Sequence, residues 1–496
     1  MSLLGVDIGT SRCKAVAFDT AGHQLAEAVR EYTPTYPAPA RVEMDPEEFW
    51  RAAASVIADA ASQVGDDRVS ALCISSHGET FLPLGRGGDP IGPAILNVDT
   101  RAAGQARELE RALGRGEVFR ITGAVIHPAY PVLKLRWLRE REPALFAAAS
   151  RFVSVTDYVL LRLGLPPYVD HSLASRFLAF DVTARRWSEE ILAWAGVSPE
   201  RLPTPVPAGA TAGRLSRIAA ADLNLEPGTL VVVGGHDQPC GAVGMGAVRP
   251  GLVSDSMGTY ECVVHVDAQP RLDDRALAAN LNSYCHVVPD QYITIVYFPS
   301  GIMVKWFCDA FCAEPAAGPD RYAELESGAP EGPTGLCITP HLIGSATPHF
   351  DSRATGAIVG LVPTTGRHHV YKGILEGLAC ELAIVSDLLA EVVGPFTTIR
   401  ATGGGTRSRL GLRLRTALTS RRFQVLECSE AVCLGAALLA GVSAGVYRDL
   451  AEAVAQAVRV VETVEPERAL GEAYARQLRQ YRLLYPALAP LREDRP

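Results

Sequence analysis

Short apolar runs alternate along this chain with clusters of glycine and polar residues, a pattern typical of α/β proteins. Residues 69–75 and 231–233 are such runs, and each predicts a buried strand. Polar residues follow both runs directly, as Ser-His-Gly-Glu at 76–79 and Gly-Gly-His-Asp-Gln at 234–238. Because ligands bind at the carboxyl edges of strands in open α/β sheets, both polar clusters are candidate site segments.

Helices are predicted between and after these strands. Asp45 resembles an N-cap followed by proline, and Glu48 completes a capping box, so we expect a helix that runs to about Ala61. Residues 132–141 form an amphipathic segment. Residues 466–485 predict another amphipathic helix, which packs on the second half of the chain or on a partner.

Asp237 is the acidic residue at the end of the second apolar run. The preceding glycine pair lets the backbone turn sharply, which places His236, Asp237 and Gln238 at the end of the strand. Asp237 is therefore a candidate catalytic carboxylate. The alternative is that Asp237 caps a helix that begins near Pro239. His236 has no assignable role beyond shaping the turn.

The chain begins with a β-hairpin pattern whose turn runs from Asp7 to Thr10. The small residues of this turn let backbone N–H groups and hydroxyls approach a phosphate closely, with Asp7 available to Mg²⁺ through water. Taken alone, an ordinary Gly-Thr hairpin turn explains the same residues.

A second copy of the hairpin pattern favours the phosphate interpretation. Met-Gly-Thr at 257–259 matches Ile-Gly-Thr at 8–10, and Cys262 matches Cys13. Ser256 stands where the first copy has its acid. One hairpin in each half predicts two related domains that hold a nucleotide phosphate between them, with the metal on the first.

Composition limits the classes of function. A chain of 496 residues exceeds what one core usually supports, so two domains are expected. The net charge of −8 argues against a nucleic-acid partner. The sequence shows neither a signal-peptide pattern nor an apolar run near 20 residues, so membrane insertion and export are not expected. Eleven scattered cysteines without a CxxC pair predict reduced, buried thiols and a cytoplasmic location.

An ordered set of motifs resembles the FGGY family of carbohydrate kinases over nearly the whole chain. In the first half the motifs are those at residues 7–10, 76–79, 170–175 and 234–238. In the second half they are those at residues 257–259, 340–348, 356–361, 375–377, 402–405 and 434–437. Each motif is weak alone, but their order and spacing are specific.

The resemblance implies an α/β fold of two ribonuclease-H-like domains of the actin, hexokinase and Hsp70 type, with a cleft between them. The domains are expected at 1–248, which binds sugar and holds the catalytic base, and at 249–496, which binds ATP. It also implies transfer of the γ-phosphoryl group of ATP to a hydroxyl of a ketose or polyol. The chain has no P-loop motif, so the two Gly-Thr turns are expected to hold the phosphates.

The resemblance assigns roles around the transferred phosphate. Asp237 matches the general base, because a sugar hydroxyl is a poor nucleophile whose proton must pass to a positioned acceptor. Asp7 would hold Mg²⁺. Lys14 is a further candidate, although a lysine on a strand is usually just solvated. The residues expected to contact the ATP phosphates are Thr10, Ser11, Lys14, Gly258 and Thr259.

Further glycines match the nucleotide site of the family. Gly403, Gly404 and Gly405 follow a strand and open a helix, so a flat ring or a phosphate can lie against bare backbone. Gly301 and Ser408 are expected to line the same site. A plain loop is the alternative for a glycine triplet alone.

The candidate sugar ligands are His77, Glu79, Asn97 and Gln238. Carboxylate, imidazole and amide groups suit a polyhydroxy substrate, because they reject analogues that lack a hydroxyl. For His77 a structural histidine is the alternative, and for Asp170 a helix cap is favoured over a ligand contact.

Three positions depart from the glycerol-kinase pattern. The arginine before the glutamate is Gly78, the usual tryptophan is Asn97, and Ala129 replaces a substrate-contacting tyrosine. These departures predict an acceptor larger than glycerol, such as a ketose or a polyol of four to six carbons.

Two other classes of function remain open. An acetate-kinase-like phosphotransferase would need a carboxylate-binding arginine and leaves Glu79 and Asp237 unexplained. A non-catalytic actin-like nucleotide-binding protein or regulatory pseudokinase would not need Asp7, Asp237 and both Gly-Thr turns. A homodimer is possible, since related kinases often form one.

Overall fold

The computed structural model of the chain describes residues 1–65, 67–312 and 320–493. The strands, in chain order, are β1 (Ser2–Ile8), β2 (Arg12–Phe18), β3 (Gln24–Glu31), β4 (Thr35–Ala38), β5 (Arg41–Met44), β6 (Val69–Ser76), β7 (Leu82–Leu84), β8 (Ala94–Ile95), β9 (Arg151–Val153), β10 (Tyr168–Asp170), β11 (Phe180–Asp181), β12 (Arg186–Trp187), β13 (Thr204–Val206), β14 (Thr211–Arg214), β15 (Leu230–His236), β16 (Val253–Met257), β17 (Tyr260–Asp267), β18 (Asn282–Cys285), β19 (Tyr292–Pro299), β20 (Cys337–Thr339), β21 (Ala357–Val359), β22 (Thr398–Thr402), β23 (Arg422–Leu426) and β24 (Val460–Val464).

The α-helices are α1 (Pro46–Gln63), α2 (Ala103–Leu113), α3 (Arg115–Thr122), α4 (Pro131–Arg141), α5 (Pro143–Ala148), α6 (Val155–Arg162), α7 (His171–Ser175), α8 (Glu189–Ala195), α9 (Arg217–Asp222), α10 (Asp237–Gly244), α11 (Asp274–Ala278), α12 (Gly301–Phe311), α13 (Asp320–Ser327), α14 (Arg367–Val393), α15 (Arg409–Thr419), α16 (Ala431–Ser443), α17 (Leu450–Ala457), α18 (Arg468–Arg482), α19 (Leu484–Ala487) and α20 (Pro490–Glu493). Short 3₁₀ helices occur at Pro199–Arg201 and Gly404–Arg407.

The first large sheet has the strand order β14-β15-β6-β1-β2-β3. Strands β1, β2 and β3 form an antiparallel meander, whereas β1, β6 and β15 are parallel to one another. Strand β14 closes the other edge antiparallel to β15. The carboxyl ends of β1, β6 and β15 therefore meet at one edge of the sheet.

The second large sheet repeats this arrangement. Its order is β18-β19-β17-β16-β22-β23-β24, with β16, β17 and β19 antiparallel and β16, β22 and β23 parallel. Strand β24 is antiparallel at its edge, as β14 is in the first sheet. Strand β16 thus corresponds to β1 and β22 to β6, and the predicted duplication of the hairpin extends to whole sheets.

The two hairpins differ in register by one residue. Ile8 faces Cys13 across the first hairpin, whereas Met257 faces Glu261 across the second and Cys262 faces Ser256. Cys262 therefore matches Cys13 in its sequence distance from the Gly-Thr pair, but the two cysteines do not occupy equivalent positions in the paired strands. The second turn is one residue shorter.

Helix α16 joins the two halves by packing on β1 and α10 of the first half. A Cβ atom on Gly5 would lie 1.8 Å from the carbonyl oxygen of Cys433, and one on Gly435 would lie 1.8 Å from that of Cys240. These approaches are possible only because both residues are glycine. Since α16 packs on the first sheet, the division at residues 248 and 249 remains our proposal.

The predicted helices form with small differences. Asp45 caps α1 by accepting a hydrogen bond from the N–H of Glu47 at 3.0 Å. The predicted capping box at Glu48 is wrong, because the Glu48 carboxylate pairs instead with Arg51 at 2.8 Å. The predicted C-terminal helix is α18 with α19. Helix α18 packs on the second half, where Tyr474 donates a hydrogen bond to Glu376 at 2.7 Å.

Two sequence expectations about the whole chain can be compared with the structure. Eight of the eleven cysteines are buried, as expected of structural thiols. Within residues 1–65, 67–312 and 320–493, no helix is both long and apolar enough to cross a membrane.

Candidate active site

Polar groups converge at the carboxyl edge of the three parallel strands of the first sheet. Asp7 lies near the end of β1, beside Ser75 of β6. Ser76 of β6 lies beside His236 of β15, and Asp237 follows directly. Because neighbouring strands are about 4.8 Å apart, Asp7 and Asp237 lie within about two strand spacings of each other.

Asp237 is the first residue of α10, and His236 occupies the N-cap position without a side-chain cap. Oδ1 of Asp237 is buried and has no hydrogen-bond partner among the described residues. His236 Nε2 lies 3.1 Å from that oxygen but not in hydrogen-bonding alignment. The alternative in which Asp237 caps the helix is therefore not what the structure shows.

The pKa of the Asp237 carboxyl is raised to about 8, mainly by burial and also by the negative charges of Asp7 and Glu79. The backbone N–H of Gln238 and the charge of Arg176 act in the opposite direction. Gln238 itself is half-buried at the next position of the helix. The site thus holds a carboxyl group that takes up and releases a proton close to neutral pH.

His236 is fixed by contacts from both halves of the chain. Its backbone N–H donates to Ser172 Oγ at 2.9 Å, and its Nδ1 lies 3.0 Å from the hydroxyl of Tyr284 on β18. Burial lowers the pKa of the His236 imidazole well below its usual value. A neutral imidazole therefore stands beside Asp237. Sequence patterns could not predict the contact of His236 with Tyr284, because Tyr284 is distant along the chain.

Asp7 provides a second carboxylate whose bonding capacity is not used within the protein. Its Oδ1 is buried and unpartnered within the described parts of the chain. Burial raises the Asp7 pKa to about 7, while the charge of Arg12 lowers it. A hard oxygen donor without a partner fits Mg²⁺, which protein sites bind through one or two carboxylates plus water and phosphate. No group of three or more potential metal-ligating side chains occurs in the described residues.

The first Gly-Thr turn contacts the predicted sugar ligand Asn97. Asn97 Nδ2 donates to Thr10 Oγ1 at 3.2 Å, and its backbone N–H donates to Thr80 Oγ1 at 3.0 Å. Gly9 closes the turn by donating to the carbonyl oxygen of Arg12 at 2.9 Å. Ser11 is exposed at the tip of the turn. Candidate sugar and phosphate residues therefore lie side by side.

His77 uses both ring nitrogens within the protein. Nδ1 lies 2.8 Å from the carbonyl oxygen of Ile8, and Nε2 lies 2.7 Å from Thr80 Oγ1. Burial lowers the pKa of the imidazole. These contacts favour the structural alternative for His77, which ties β1 to the segment that carries Glu79 and Thr80.

Glu79 faces Arg176, a residue that the motif analysis did not assign to the site. Arg176 Nε donates to Glu79 Oε1 at 2.6 Å, and Nη2 also contacts that oxygen. The Glu79 and Arg176 side chains are only 13% and 11% exposed.

Asp170 caps α7 by accepting hydrogen bonds from the N–H groups of Ser172 and Leu173 at 2.7 and 2.9 Å. The helix-cap interpretation of Asp170 is confirmed.

Lys14 joins the two halves instead of standing free for a phosphate. Its ammonium group lies 3.0 Å from Glu27 and 2.8 Å from Glu430. Glu430 directly precedes α16 of the second half. The predicted phosphate contact of Lys14 would require it to exchange one of these partners.

The predicted nucleotide glycines gather at the equivalent edge of the second sheet. Gly301 donates from its N–H to the carbonyl oxygen of Gly258 at 3.0 Å, and a Cβ on Gly301 would lie 2.5 Å from that oxygen. Thr259 accepts a hydrogen bond from the N–H of Ser300 at 3.0 Å. Gly258 and Thr259 are exposed at the tip of the second hairpin.

The glycine triplet packs against the same hairpin. Cβ atoms on Gly403 and Gly405 would each lie 2.7 Å from atoms of Met257, so neither position tolerates a side chain. Gly403 also has a φ of 99°. A Cβ atom on Gly404 would meet no atom within 4 Å outside its chain neighbours and would point into open space. Ser408 caps α15 by accepting from the N–H of Gly411 at 2.9 Å, so its hydroxyl is already engaged.

The two edges approach each other. The pKa of the Cys262 thiol, on β17 of the second sheet, is raised mainly by burial and also by the negative charge of Asp237. Tyr284 reaches His236 from the second half, as described above. A carboxylate edge of the first half therefore meets a glycine-rich edge of the second, as required for transfer between a nucleotide and an acceptor.

Comparison with protein-family models gives two matches. Residues 2–244 match the N-terminal domain of the FGGY family of carbohydrate kinases, and residues 253–444 match its C-terminal domain. Together these matches cover most of the chain.

Named relatives agree with the family models. A gluconokinase of Bacillus subtilis is 28% identical over 448 residues, which cover 88% of this chain and 86% of the relative. A xylulose kinase of the same organism is 26% identical and covers 97% of this chain and 96% of its own. The crystal structure of xylulose kinase from Rhodospirillum rubrum superposes with a TM-score of 0.88 at 26% identity, covering 99% of this chain and all of that one. The predicted actin- and hexokinase-like α/β fold is confirmed.

Proposed function

This chain belongs to the FGGY family of carbohydrate kinases and is an ATP-dependent carbohydrate kinase; we propose that it phosphorylates a ketose or polyol with Asp237 as general base. The observation that carries the proposal is the unpartnered Oδ1 of Asp237 at the edge where the two halves meet. Buried polar atoms are nearly always hydrogen-bonded, so an orphan carboxylate oxygen in a cleft is a strong candidate for a ligand contact.

The carboxylate of Asp237 would accept the proton of the acceptor hydroxyl. As that oxygen forms a bond with the γ-phosphorus, the bond from the phosphorus to the β,γ-bridging oxygen breaks and ADP leaves. The proton remains on Asp237 until it passes to solvent. A base whose pKa lies near 8 is well matched to this step, because general-base catalysis is most effective when the pKa is close to the working pH.

The remaining catalysis would come from positioning and from neutralising phosphate charge. Backbone N–H groups at the two Gly-Thr turns, around Thr10 and Thr259, would hold phosphate oxygens from either side of the cleft. Asp7 would hold Mg²⁺ through water, and the ion would neutralise charge on the phosphates. The predicted adenine side is the wall formed by Gly301 and the glycine triplet.

The acceptor would lie on the first half, between Asn97, Glu79 and Gln238. The relatives include a gluconokinase and a xylulose kinase, so the names alone leave the acceptor open. Asn97 and Gly78 replace the bulkier residues of the glycerol-kinase pattern, which favours an acceptor larger than glycerol. We therefore propose a ketose or a polyol of four to six carbons.

A regulatory pseudokinase is the alternative proposal. It would need no proton acceptor, whereas this cleft keeps two unpartnered carboxylate oxygens, on Asp7 and Asp237. Measurement of ADP release with a panel of ketoses and polyols separates the two proposals. We expect turnover with at least one acceptor. ATP binding without turnover on any acceptor would favour the pseudokinase.

A further inference from the structure

Arg176 places a buried guanidinium beside the sugar side of the cleft. It directly follows α7, and Ser172 of that helix holds the backbone of His236. The Arg176 residue is 9% exposed. Its position relative to Asp237 is therefore fixed through one short helix and one hydrogen bond.

The guanidinium is incompletely bonded. Nε and Nη2 both contact Oε1 of Glu79, and the guanidinium carbon lies 4.7 Å from the ring centre of Tyr284 and 5.2 Å from that of Tyr130. Nη1 is buried and has no hydrogen-bond partner among the described residues. An unpaired donor on a charged group is costly to bury, so Nη1 is a strong candidate for a ligand contact.

Gly78 makes room for this arrangement. A Cβ atom on Gly78 would lie 2.8 Å from Cγ and 3.0 Å from Cβ of Arg176. Any side chain at this position would push Arg176 away from Glu79. The glycine that departs from the glycerol-kinase pattern is therefore coupled to Arg176, the residue that follows α7.

We propose that Arg176 and Glu79 form a donor–acceptor pair that binds two neighbouring hydroxyls of a neutral sugar or polyol. Arg176 Nη1 donates to one hydroxyl oxygen. Glu79 Oε2, which makes no hydrogen bond to Arg176, accepts from the other hydroxyl. This inference rests on the proposed kinase function and names the group that selects its acceptor.

The charges around the pair favour a neutral acceptor over an aldonate. Glu79 already balances the charge of Arg176. Lys134 is buried, donates to the carbonyl oxygens of Leu96 and Glu79, and has its pKa lowered by burial to about 7. Arg176 is balanced by Glu79 and Lys134 is engaged by two carbonyl oxygens, so neither group offers a free positive charge to a substrate carboxylate.

The test compares the best neutral acceptor of the wild-type enzyme with its mono-deoxy analogues. We expect Arg176→Gln to raise KM for the parent sugar about tenfold or more, with a smaller change in kcat. The wild-type enzyme should reject one deoxy analogue by about 10²-fold or more, and Arg176→Gln should remove most of that rejection. If Arg176→Gln rejects every deoxy analogue as strongly as the wild-type enzyme does, the proposed contact between Arg176 and a sugar hydroxyl is wrong.

Arg201→Gln is the matched control. Arg201 also lies over aromatic rings, at 4.4 Å from Phe146 and 4.6 Å from Phe152, but donates only to the carbonyl oxygens of Phe146 and Ala149. It should retain the discrimination of the wild-type enzyme. If Arg201→Gln also loses the discrimination against the deoxy analogue, the effect would follow from the loss of any stacked arginine and not from the loss of a sugar contact.

Gly78→Ala is a second variant, which displaces Arg176 without removing its charge. It should lose the same discrimination while remaining folded, as judged by thermal melting. Preference of the wild-type enzyme for gluconate over every neutral acceptor would overturn the assignment of a neutral diol. Absence of wild-type turnover on any acceptor would instead defeat the proposed kinase function, before any variant is examined.

Discussion

Two carboxyl groups in the cleft, those of Asp7 and Asp237, have pKa values raised mainly by burial, to about 7 and about 8. Each also raises the pKa of other groups in the cleft through its charge. Burial destabilises the charged form of a carboxyl group and so raises its pKa. In catalytic clefts this commonly produces a base that works near neutral pH.

The rate of the enzyme should therefore depend on pH with a defined sign. Only the deprotonated carboxylate of Asp237 accepts a proton, so kcat/KM for the sugar should rise as pH increases through about 7 to 8. The pH dependence of kcat/KM reports the free enzyme, and steady-state rates between pH 5.5 and 9 measure it. A flat profile over this range would contradict the assigned titration.

At the scale of elements, the hairpin tips and glycines of the second sheet form the proposed nucleotide wall. Gly301 begins α12 at a position where its missing side chain lets the helix touch the turn at Gly258. That contact sets the distance between the start of α12 and the second hairpin. The same hairpin also supports Gly403 and Gly405 through Met257.

Gly301→Ala should weaken ATP binding more than sugar binding. The added Cβ would lie 2.5 Å from the carbonyl oxygen of Gly258, so the hairpin or α12 must shift. We expect KM for ATP to rise by about tenfold or more, because a displacement near 1 Å in a positioned site can cost about 10²-fold. KM for the sugar should change little.

Gly104→Ala in α2 is the matched control for this substitution. No atom lies within 4 Å of the Cβ position of Gly104, and alanine favours a helix over glycine. It should leave both KM values unchanged. An equal rise in both KM values for Gly301→Ala would show that Gly301 supports the fold in general and not the nucleotide wall.

Local pattern predicted the elements well. The apolar runs and the Gly-Thr turns predicted β6, β15 and the two hairpins, because period and turn chemistry are local properties. The wrong capping box at Glu48 and the shift in hairpin register have a common cause. Cap geometry and strand pairing each depend on a choice among competing partners, such as Arg51 for Glu48, which a motif alone does not decide.

The candidate site was predictable only where it follows a motif. Asp7, Glu79 and Asp237 lie in such motifs, and their convergence follows from parallel strands ending at one edge. Arg176 and His236 could not be assigned, because tertiary packing brings them to Glu79 and to Tyr284. His77 was predicted to contact the sugar, and only the folded structure shows that both of its ring nitrogens are engaged.

At the scale of the whole molecule, two sheets of the same design are joined through α10 and α16. Close backbone contacts at Gly5, Gly244 and Gly435 hold α16 against the first half. The ion pair between Lys14 and Glu430 links the two halves near the first Gly-Thr turn. The orientation of one half relative to the other, which sets the geometry of the cleft, therefore depends on this helix pair.

Gly435→Ala should destabilise the protein as a whole. Its Cβ would lie 1.8 Å from the carbonyl oxygen of Cys240, and neither helix can move without disturbing the core that the halves share. Overpacking of this kind typically costs about 1–3 kcal/mol. Urea unfolding measures the loss, with Gly104→Ala as a control that should be neutral or slightly stabilising. Equal stability of the two variants would contradict a rigid α10–α16 interface.

The central claim is that Asp237 accepts the proton of the sugar hydroxyl, and Asp237→Asn tests it most directly. Asp157→Asn is the matched control. Asp157 is another buried carboxyl whose pKa is raised to about 7, mainly by burial, but it accepts hydrogen bonds from the N–H and Oγ of Ser154, the N-cap of α6. The measurement is kcat at saturating ATP and sugar, together with the affinity for ATP.

Asp237→Asn should lower kcat by about 10²-fold or more while ATP affinity stays within about threefold, whereas Asp157→Asn should keep the kcat of the wild-type enzyme. Because the raised pKa favours the neutral form in the folded state, Asp237→Asn should also be at least as stable as the wild-type enzyme above pH 8, so loss of folding cannot explain the result. A kcat for Asp237→Asn within about threefold of the wild-type value would contradict the assignment of Asp237 as the base.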